Sequence, residues 1–232
     1  MEGRNMKKGI FYTEIAYILG LIILAVGTAL MERADFGVSM VVAPAYLLYL
    51  KLSPTFSFFT FGMAEYMLQG VLLLAMILLL RNFRISYLFS FVTAVLYGFT
   101  LDGAMFVVSL LPGTGTMARV LFYILGMLGC SLGVSLLFHT YISPEVYELW
   151  VKEMSARTGI DIHKYKTGYD CVSCMVGVVL SFLFFGFGRF EGVKLGTILC
   201  ALVNGFIIGC FARLLEKLWD FRDGLNLRKF FE

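Results

Sequence analysis

The sequence predicts an all-α, polytopic membrane protein with six transmembrane helices, arranged as two inverted repeats of three spans. Of the 232 residues, 59% are hydrophobic and only 15% are charged, whereas a soluble domain carries about 25% charged residues. The apolar residues also fall in runs of about 20, which is the length of helix that crosses a hydrocarbon core of about 30 Å. Finally, the order of elements in the first half of the chain recurs in the second half.

Six apolar runs are predicted to span the membrane, and they lie at about 12–31, 59–80, 85–110, 118–139, 168–187 and 195–212. The first run follows a basic start, as a signal peptide does. It is longer than a signal peptide and no small-residue cleavage site follows it, so we expect it to be retained. The alternating pattern of a transmembrane barrel is absent from the sequence, which favours helices.

Two of the connections between spans are long enough to hold short helices. Segment 37–50 is apolar, and we expect a helix there that is either interfacial or re-entrant. Segment 144–157 has acidic residues and Lys152 on one side, with apolar side chains between them. That pattern is typical of an amphipathic helix lying at the membrane interface.

The distribution of the 19 Lys and Arg residues predicts the orientation. Most of them fall on the side of the two termini, so the positive-inside rule predicts that both termini of this multi-pass protein are cytoplasmic. Segments 1–11 and 213–232 then form cytoplasmic ends, and the second is amphipathic and basic. Charge spread over helix ends favours lipid headgroups as partners and gives no sign of nucleic-acid binding.

A repeated tetrapeptide marks the start of two similar units, which we place at 12–111 and 112–212. The letters YILG stand at 17–20 and again at 123–126, and the same register pairs Gly20 with Gly126 and Gly27 with Gly133. Because each unit has three spans, the second enters the membrane from the opposite side. Inverted repeats recur in secondary transporters, whose substrate site lies between the repeats near the midplane.

The segments ADFGVSM (34–40) and KLGTILCALVNGFIIG (194–209), together with the three-span repeat, resemble the YczE/YyaS/YitT family of bacterial integral membrane proteins. The resemblance covers nearly the whole chain, and it implies this architecture and a bacterial plasma membrane. It also implies that each short helix begins at a small-residue turn with Pro. Pro144 fits that pattern in the second unit, while Met40 takes the place in the first.

Polar side chains inside apolar spans are the candidate binding residues, because such groups are costly and rare in a membrane. Glu65 and Asp102 are predicted to lie roughly 5–8 Å below the outer surface on neighbouring antiparallel spans, where the pair could carry a proton or a cation. Gln69 lies one turn deeper than Glu65, and Asn204 lies near the midplane of the last span. Asp170 lies near the inner end of span five, where it could cap the helix. The alternatives are local hydrogen bonds for the carboxyls and a helix-packing role for Asn204.

Glu32, Arg33 and Asp35 cluster at the outer end of the first span. They predict either a local ionic cluster or an outer gate, with Asp35 capping the helix that follows. The CVSC segment at 171–174 has no second cysteine pair or paired histidines to complete a zinc site. The sequence therefore predicts no metal and no cofactor.

The sequence lacks a P-loop, a GxSxG elbow and an HExxH helix, so we do not expect an enzyme. The favoured function is a secondary transporter or permease for a small solute, coupled to protons or cations through Glu65 and Asp102. Two alternatives stay open: a non-transporting membrane scaffold or regulator, and the membrane-embedded substrate-binding subunit of a modular importer. The expected partners are the lipid bilayer and an unknown small solute, and a homodimer is left open.

Overall fold

The structure, a computed structural model, describes residues 8–81, 83–112, 115–225 and 228. These residues form eight helices and two short strands. In chain order they are β1 (Gly9–Tyr12), α1 (Thr13–Ala34), α2 (Ala43–Leu52), α3 (Phe61–Leu80), α4 (Ile85–Ser109), α5 (Thr116–Phe138), α6 (Val146–Thr158), α7 (Ile162–Phe185), α8 (Leu195–Leu218) and β2 (Trp219–Arg222). Six of the helices, namely α1, α3, α4, α5, α7 and α8, are long and apolar enough to cross a membrane. The predicted all-α fold with six helices of membrane-spanning length is thus confirmed.

The last two spans extend beyond their predicted bounds. Helix α7 begins at Ile162 rather than near 168, because the Asp161 side chain accepts hydrogen bonds from the backbone N–H groups of His163 and Lys164 and caps the helix there. Helix α8 continues to Leu218, and the backbone becomes extended at Trp219.

The two strands join the two ends of the helical bundle. Strand β1 immediately precedes α1, β2 immediately follows α8, and the strands pair in parallel with Gly9 opposite Trp219. The start of α1 and the end of α8 therefore lie on the same face of the bundle, which we call the terminal face. Part of the predicted amphipathic tail is thus helix and strand, and 226–227 and 229–232 lie outside the described residues.

Helices α1 and α5 cross at glycines in the centre of the bundle. A Cβ atom added at Gly27 would lie 2.8 Å from the carbonyl oxygen of Gly126, and one added at Gly126 would lie 2.7 Å from that of Gly27. Gly20 and Gly133 meet in the same way further along. Such contacts bring two backbones together, as small residues do in transmembrane helix pairs.

The remaining helices pack around α1 and α5 in corresponding pairs. In the first half α3 packs on α4 and α4 on α1, and in the second half α7 packs on α8 and α8 on α5. Each short helix contacts the second span of both halves: α2 lies against α3 and α7, and α6 lies against α7 and α3.

Helix α6 starts in the middle of the bundle, so the prediction of an interfacial helix at 144–157 is wrong. Its first N–H, that of Val146, donates to Gln69 Oε1 at 3.0 Å, two turns inside α3. Its last turns reach the connection between α3 and α4, where Glu153 pairs with Arg84 at 3.3 Å. Both Glu145 and Glu148 are buried, because the bundle supplies partners for the charges that the sequence pattern suggested were solvated.

Helix α2 follows the same course at the other end of the bundle. Ala43, its first residue, lies beside Gly177 in the interior of α7. Near its end, Lys51 Nζ donates to the carbonyl of Phe184 at 3.0 Å, at the end of α7. Each short helix therefore begins inside the bundle and runs back toward one face, which is a re-entrant course.

Candidate functional site

The candidate site is a cluster of buried polar side chains where α3, α6 and α7 meet, which we call the polar cluster. Each of its members is at most 3% exposed. They are Glu65, Gln69, Ser131, Glu145, Glu148, Lys166, Asp170 and Asn204. Glu65 and Gln69 come from the first half of the chain and the others from the second, so the cluster lies between the halves.

Gln69 connects the two carboxyl groups on one side of the polar cluster. Its Nε2 donates to Glu145 Oε2 at 2.9 Å and to Glu65 Oε2 at 3.4 Å. Tyr147 donates its hydroxyl hydrogen to Glu65 Oε2 at 3.0 Å. The other carboxyl oxygens of Glu65 and Glu145, both Oε1, are buried without a hydrogen-bond partner among the described residues.

Lys166 is the cation on the other side of the polar cluster. Its Nζ lies 3.3 Å from Glu148 Oε1 and 3.1 Å from Asp170 Oδ1. The second Asp170 oxygen accepts from Asn204 Nδ2 at 3.5 Å, and Asn204 Oδ1 accepts from the Ser131 hydroxyl at 2.7 Å. This side therefore links α6, α7, α8 and α5 through two ion pairs and two hydrogen bonds.

The charges of the polar cluster do not balance if every carboxyl is ionised. Four carboxyl groups face one ammonium, and an uncompensated buried charge costs several kcal/mol. Burial raises the pKa of Glu145, which lies outside the spans, well above its ordinary value, and the neighbouring Glu148 and Glu65 carboxyls raise it further. The arrangement therefore favours protons, or other cations, on the carboxyls that Lys166 does not neutralise.

The structure brings four of the predicted site residues together, since Glu65, Gln69, Asp170 and Asn204 all belong to the polar cluster. Asp170 does not cap α7 as expected, because Asp161 occupies that position and Asp170 lies two turns inside the helix.

Asp102 does not join Glu65 in a carboxyl pair. Its oxygens accept from the Thr60 hydroxyl at 2.7 Å and from the N–H of Gly62 at 2.9 Å, so Asp102 holds the N-terminus of α3. The carboxyl group joined to Glu65 through Gln69 is instead that of Glu145.

Four members of the polar cluster were missed in the sequence: Ser131, Glu145, Glu148 and Lys166. Lys166 and Asp170 are spaced i,i+4, as helical ion pairs are. That spacing was the signal in the sequence that α7 begins before the apolar run predicted near 168.

The predicted outer-gate residues lie together at the end of α1 but have separate partners. Glu32 accepts from the Tyr46 hydroxyl at 3.3 Å, and Arg33 donates to the carbonyl of Leu111 at 2.9 Å. Asp35 ends α1 in the left-handed conformation, with φ 56°, and does not cap α2. Its carboxylate pairs with Arg119 at 3.0 Å and with Lys194, at the starts of α5 and α8.

Two clefts open at opposite ends of the bundle. One, of about 480 Å³, lies on the terminal face and is lined by residues that include His139, Tyr141, Ser143, Pro144 and Lys152. The other, of about 90 Å³, lies at the opposite end, and its lining includes Glu32, Asp35, Val38 and Lys194. Each adjoins the segment that enters the bundle before a re-entrant helix.

Five cysteines are free thiols, and CVSC contributes Cys171 and Cys174. Within the described residues, no group of three or more His, Cys, Asp or Glu side chains is arranged to hold a metal ion.

Comparison with known proteins gives a family but no activity. The model of one protein family, described as a family of unknown function (DUF6198), matches residues 11–213. No curated protein and no solved structure matches the chain significantly. Since the family match spans most of the sequence, the chain belongs to the DUF6198 family.

Proposed function

We propose that this protein is a secondary transporter or permease for a small solute, coupled to protons or cations through the polar cluster. The observation that carries the proposal is the excess of buried carboxyl groups between the two halves of the chain. A membrane protein keeps such groups at a cost, and they commonly mark ion pathways and proton relays.

Internal symmetry supports the proposal. In the sequence register of the two units, Gly20 corresponds to Gly126 and Gly27 corresponds to Gly133. If the units are symmetric, a contact between Gly20 and Gly133 must be matched by a contact between Gly126 and Gly27, and both contacts occur. Helix α2 corresponds to α6 and α3 corresponds to α7, and the contact of α2 with α7 is likewise matched by the contact of α6 with α3. This is the pattern expected of inverted repeats, which supply two states of similar energy for alternating access.

The proposed roles follow from the hydrogen bonds. Glu65 and Glu145 carry the proton or cation, because each has a buried oxygen without a partner among the described residues and neither pairs with Lys166. Gln69 positions the two carboxyls by donating to both. Lys166 pairs with both Glu148 and Asp170, so these two carboxyls share the one ammonium of the polar cluster.

A flux assay tests the proposal. The purified protein is reconstituted in vesicles that contain a pH-sensitive dye, and a panel of sugars, amino acids, carboxylates and amines is added with and without a sodium gradient. We expect solute-dependent proton or sodium movement in the wild type and at least a tenfold lower rate in Glu145→Gln. The matched control is Asp220→Asn, which removes a carboxyl that pairs only locally with Arg222 among the described residues.

Equal rates in the wild type and Glu145→Gln would remove the cluster from the mechanism. If no solute moved and one protein co-purified in fixed stoichiometry, the scaffold alternative would replace transport, and a co-purifying ATPase would favour the importer subunit. The cytoplasmic position of the termini, the bacterial plasma membrane and the resemblance to the YczE/YyaS/YitT family stay predictions. A thiol-accessibility assay on intact cells would test the orientation.

A further inference from the structure

Two short segments lead from a long helix into the bundle, one at each end. The first arm, residues 35–42, connects α1 to α2, and the second arm, residues 139–145, connects α5 to α6. Both arms are largely buried, and each borders one of the two clefts. The second arm ends at Glu145, so its displacement would open the terminal-face cleft toward the polar cluster.

The second arm is fastened by the carboxylate of Glu14, near the start of α1. Tyr141 donates its hydroxyl hydrogen to Glu14 Oε1 at 2.7 Å. The same carboxylate accepts from the backbone N–H of Gly224 at 3.0 Å and of Leu225 at 2.8 Å. One side chain thus joins the arm, the first span and the segment after β2, and we call these contacts the second latch.

The segment around β2 covers the second arm. The ring of Phe221 stacks on His139 with centroids 4.6 Å apart. The guanidinium of Arg228 lies 5.8 Å from the centroid of the Tyr141 ring, and the Thr13 hydroxyl donates to Asp223 at 3.1 Å. Since Tyr141 is only 8% exposed, the arm cannot move outward unless this segment moves first.

The first arm has a latch of its own at the opposite end of α1. Asp35 pairs with Arg119 and with Lys194, and we call this contact set the first latch. The register that pairs Gly20 with Gly126 also pairs Asp35 with Tyr141. In the same register Arg119 corresponds to Thr13, the residue that precedes Glu14. The two latches therefore stand at corresponding positions of the two halves.

We infer that the two latches are gates that close the opposite ends of one pathway through the polar cluster, and that the structure is the state with both closed. The inference rests on the proposed function, to which it adds the residues that control access. The latches differ in strength. The first consists of ion pairs with Asp35 64% exposed, and exposed pairs contribute little, whereas the second uses several hydrogen bonds to one charged acceptor.

Two buried serines allow each gate to be measured separately. Ser39 in the first arm is 7% exposed and Ser143 in the second arm is 6% exposed. Cysteine is nearly isosteric with serine, so Ser39→Cys and Ser143→Cys place a thiol reporter in each arm. The protein is held in lipid nanodiscs, which leave both faces accessible, and alkylation by iodoacetamide is followed peptide by peptide by mass spectrometry.

We expect Tyr141→Phe and Glu14→Ala to accelerate labelling of the Ser143→Cys reporter by about tenfold or more, because each removes a hydrogen bond to a charged group. Labelling of the Ser39→Cys reporter should not rise in these variants. Asp35→Asn should accelerate labelling of the Ser39→Cys reporter alone. The matched control is Asp220→Asn, which removes a carboxylate from β2 that pairs only locally with Arg222 among the described residues.

Labelling of the Ser143→Cys reporter at the wild-type rate in both Tyr141→Phe and Glu14→Ala would overturn the inference. So would equal acceleration at both reporters, since that would indicate general loosening rather than a gate. The assay needs no solute. Selective acceleration without any flux in the vesicle assay would therefore keep the gates and remove the transport function, so the two failures are distinguishable.

Discussion

Replacing Lys166 by Met tests whether the polar cluster depends on one buried cation. The Lys166 side chain is 1% exposed, and its partners Glu148 and Asp170 are 4% and 0% exposed. Methionine keeps most of the volume of the aliphatic stem and removes the ammonium. Two carboxylates then lose the group that neutralises them, in a part of the bundle that solvent does not screen.

The expected loss of stability is large. Removing one partner of a buried ion pair costs about 3–5 kcal/mol, because the remaining charge stays buried without compensation. For a chain of this size, 1 kcal/mol corresponds to a shift in melting temperature of about 2–4 °C. Lys166→Met should therefore lower the melting temperature by about 6–20 °C near pH 7.5. The deficit should shrink near pH 5, where protons neutralise the remaining carboxylates.

Intrinsic tryptophan fluorescence of the protein in detergent, recorded during heating, measures this shift. Lys164→Met is the matched control, since Lys164 lies two residues earlier on an exposed side of the same helix and should change stability by less than about 0.5 kcal/mol. The double variant Lys166→Met/Asp170→Asn should recover part of the loss. A melting temperature for Lys166→Met equal to that of the control at pH 7.5 would refute the electrostatic reasoning.

Three further variants test other parts of the structure. Gly27→Leu should abolish folding in membranes, because even its Cβ would lie 2.7 Å from a backbone nitrogen of α5. The control is Gly103→Ala, whose added methyl would have no atom within 4 Å. The control should leave the yield of folded protein in size-exclusion chromatography unchanged. Because burial raises the pKa of Glu145, the unfolded chain releases this proton before the folded one does. Thermal stability should therefore fall as the pH rises above about 4.5, and Glu145→Gln should reduce that slope. Asp102→Ala should lower the melting temperature by the equivalent of about 1 kcal/mol, because Asp102 loses its hydrogen bond with Thr60 at the start of α3. The variant should leave vesicle flux unchanged. A loss of flux would indicate that Asp102 takes part in coupling after all.

The spans could be predicted because a membrane imposes one length and one composition on every helix that crosses it. Glu65, Gln69 and Asn204 could be identified as candidate site residues for the same reason, since each is a polar residue in an otherwise apolar run. Their partners could not be predicted in this way. Because Glu65 and Asp102 lie at similar depths along neighbouring spans, the sequence predicted that they form a pair. Only the packing of α6 against α3 shows that the carboxyl group near Glu65 is that of Glu145.

The re-entrant helix α6 was the main feature that the sequence did not reveal. Charged and apolar residues alternate along it as they do in a helix that lies on a membrane, and the pattern is the same whether lipid or protein covers the helix. The covering is decided by residues far away in the sequence, such as Gln69, which binds the first N–H of the helix. Lys166 was missed for a related reason, because its charge made the first turns of α7 resemble a loop.

The pairing of β1 with β2 has a consequence for how the protein is made. Strand β1 leaves the ribosome before the first span, and β2 leaves it after the sixth, so the two-stranded sheet cannot form until every span has been synthesised. During translation the carboxylate of Glu14 must wait for the N–H groups of Gly224 and Leu225. Closure of the terminal face is therefore a late assembly step, and a chain that stops within α8 would be inserted in the membrane with that face unsealed.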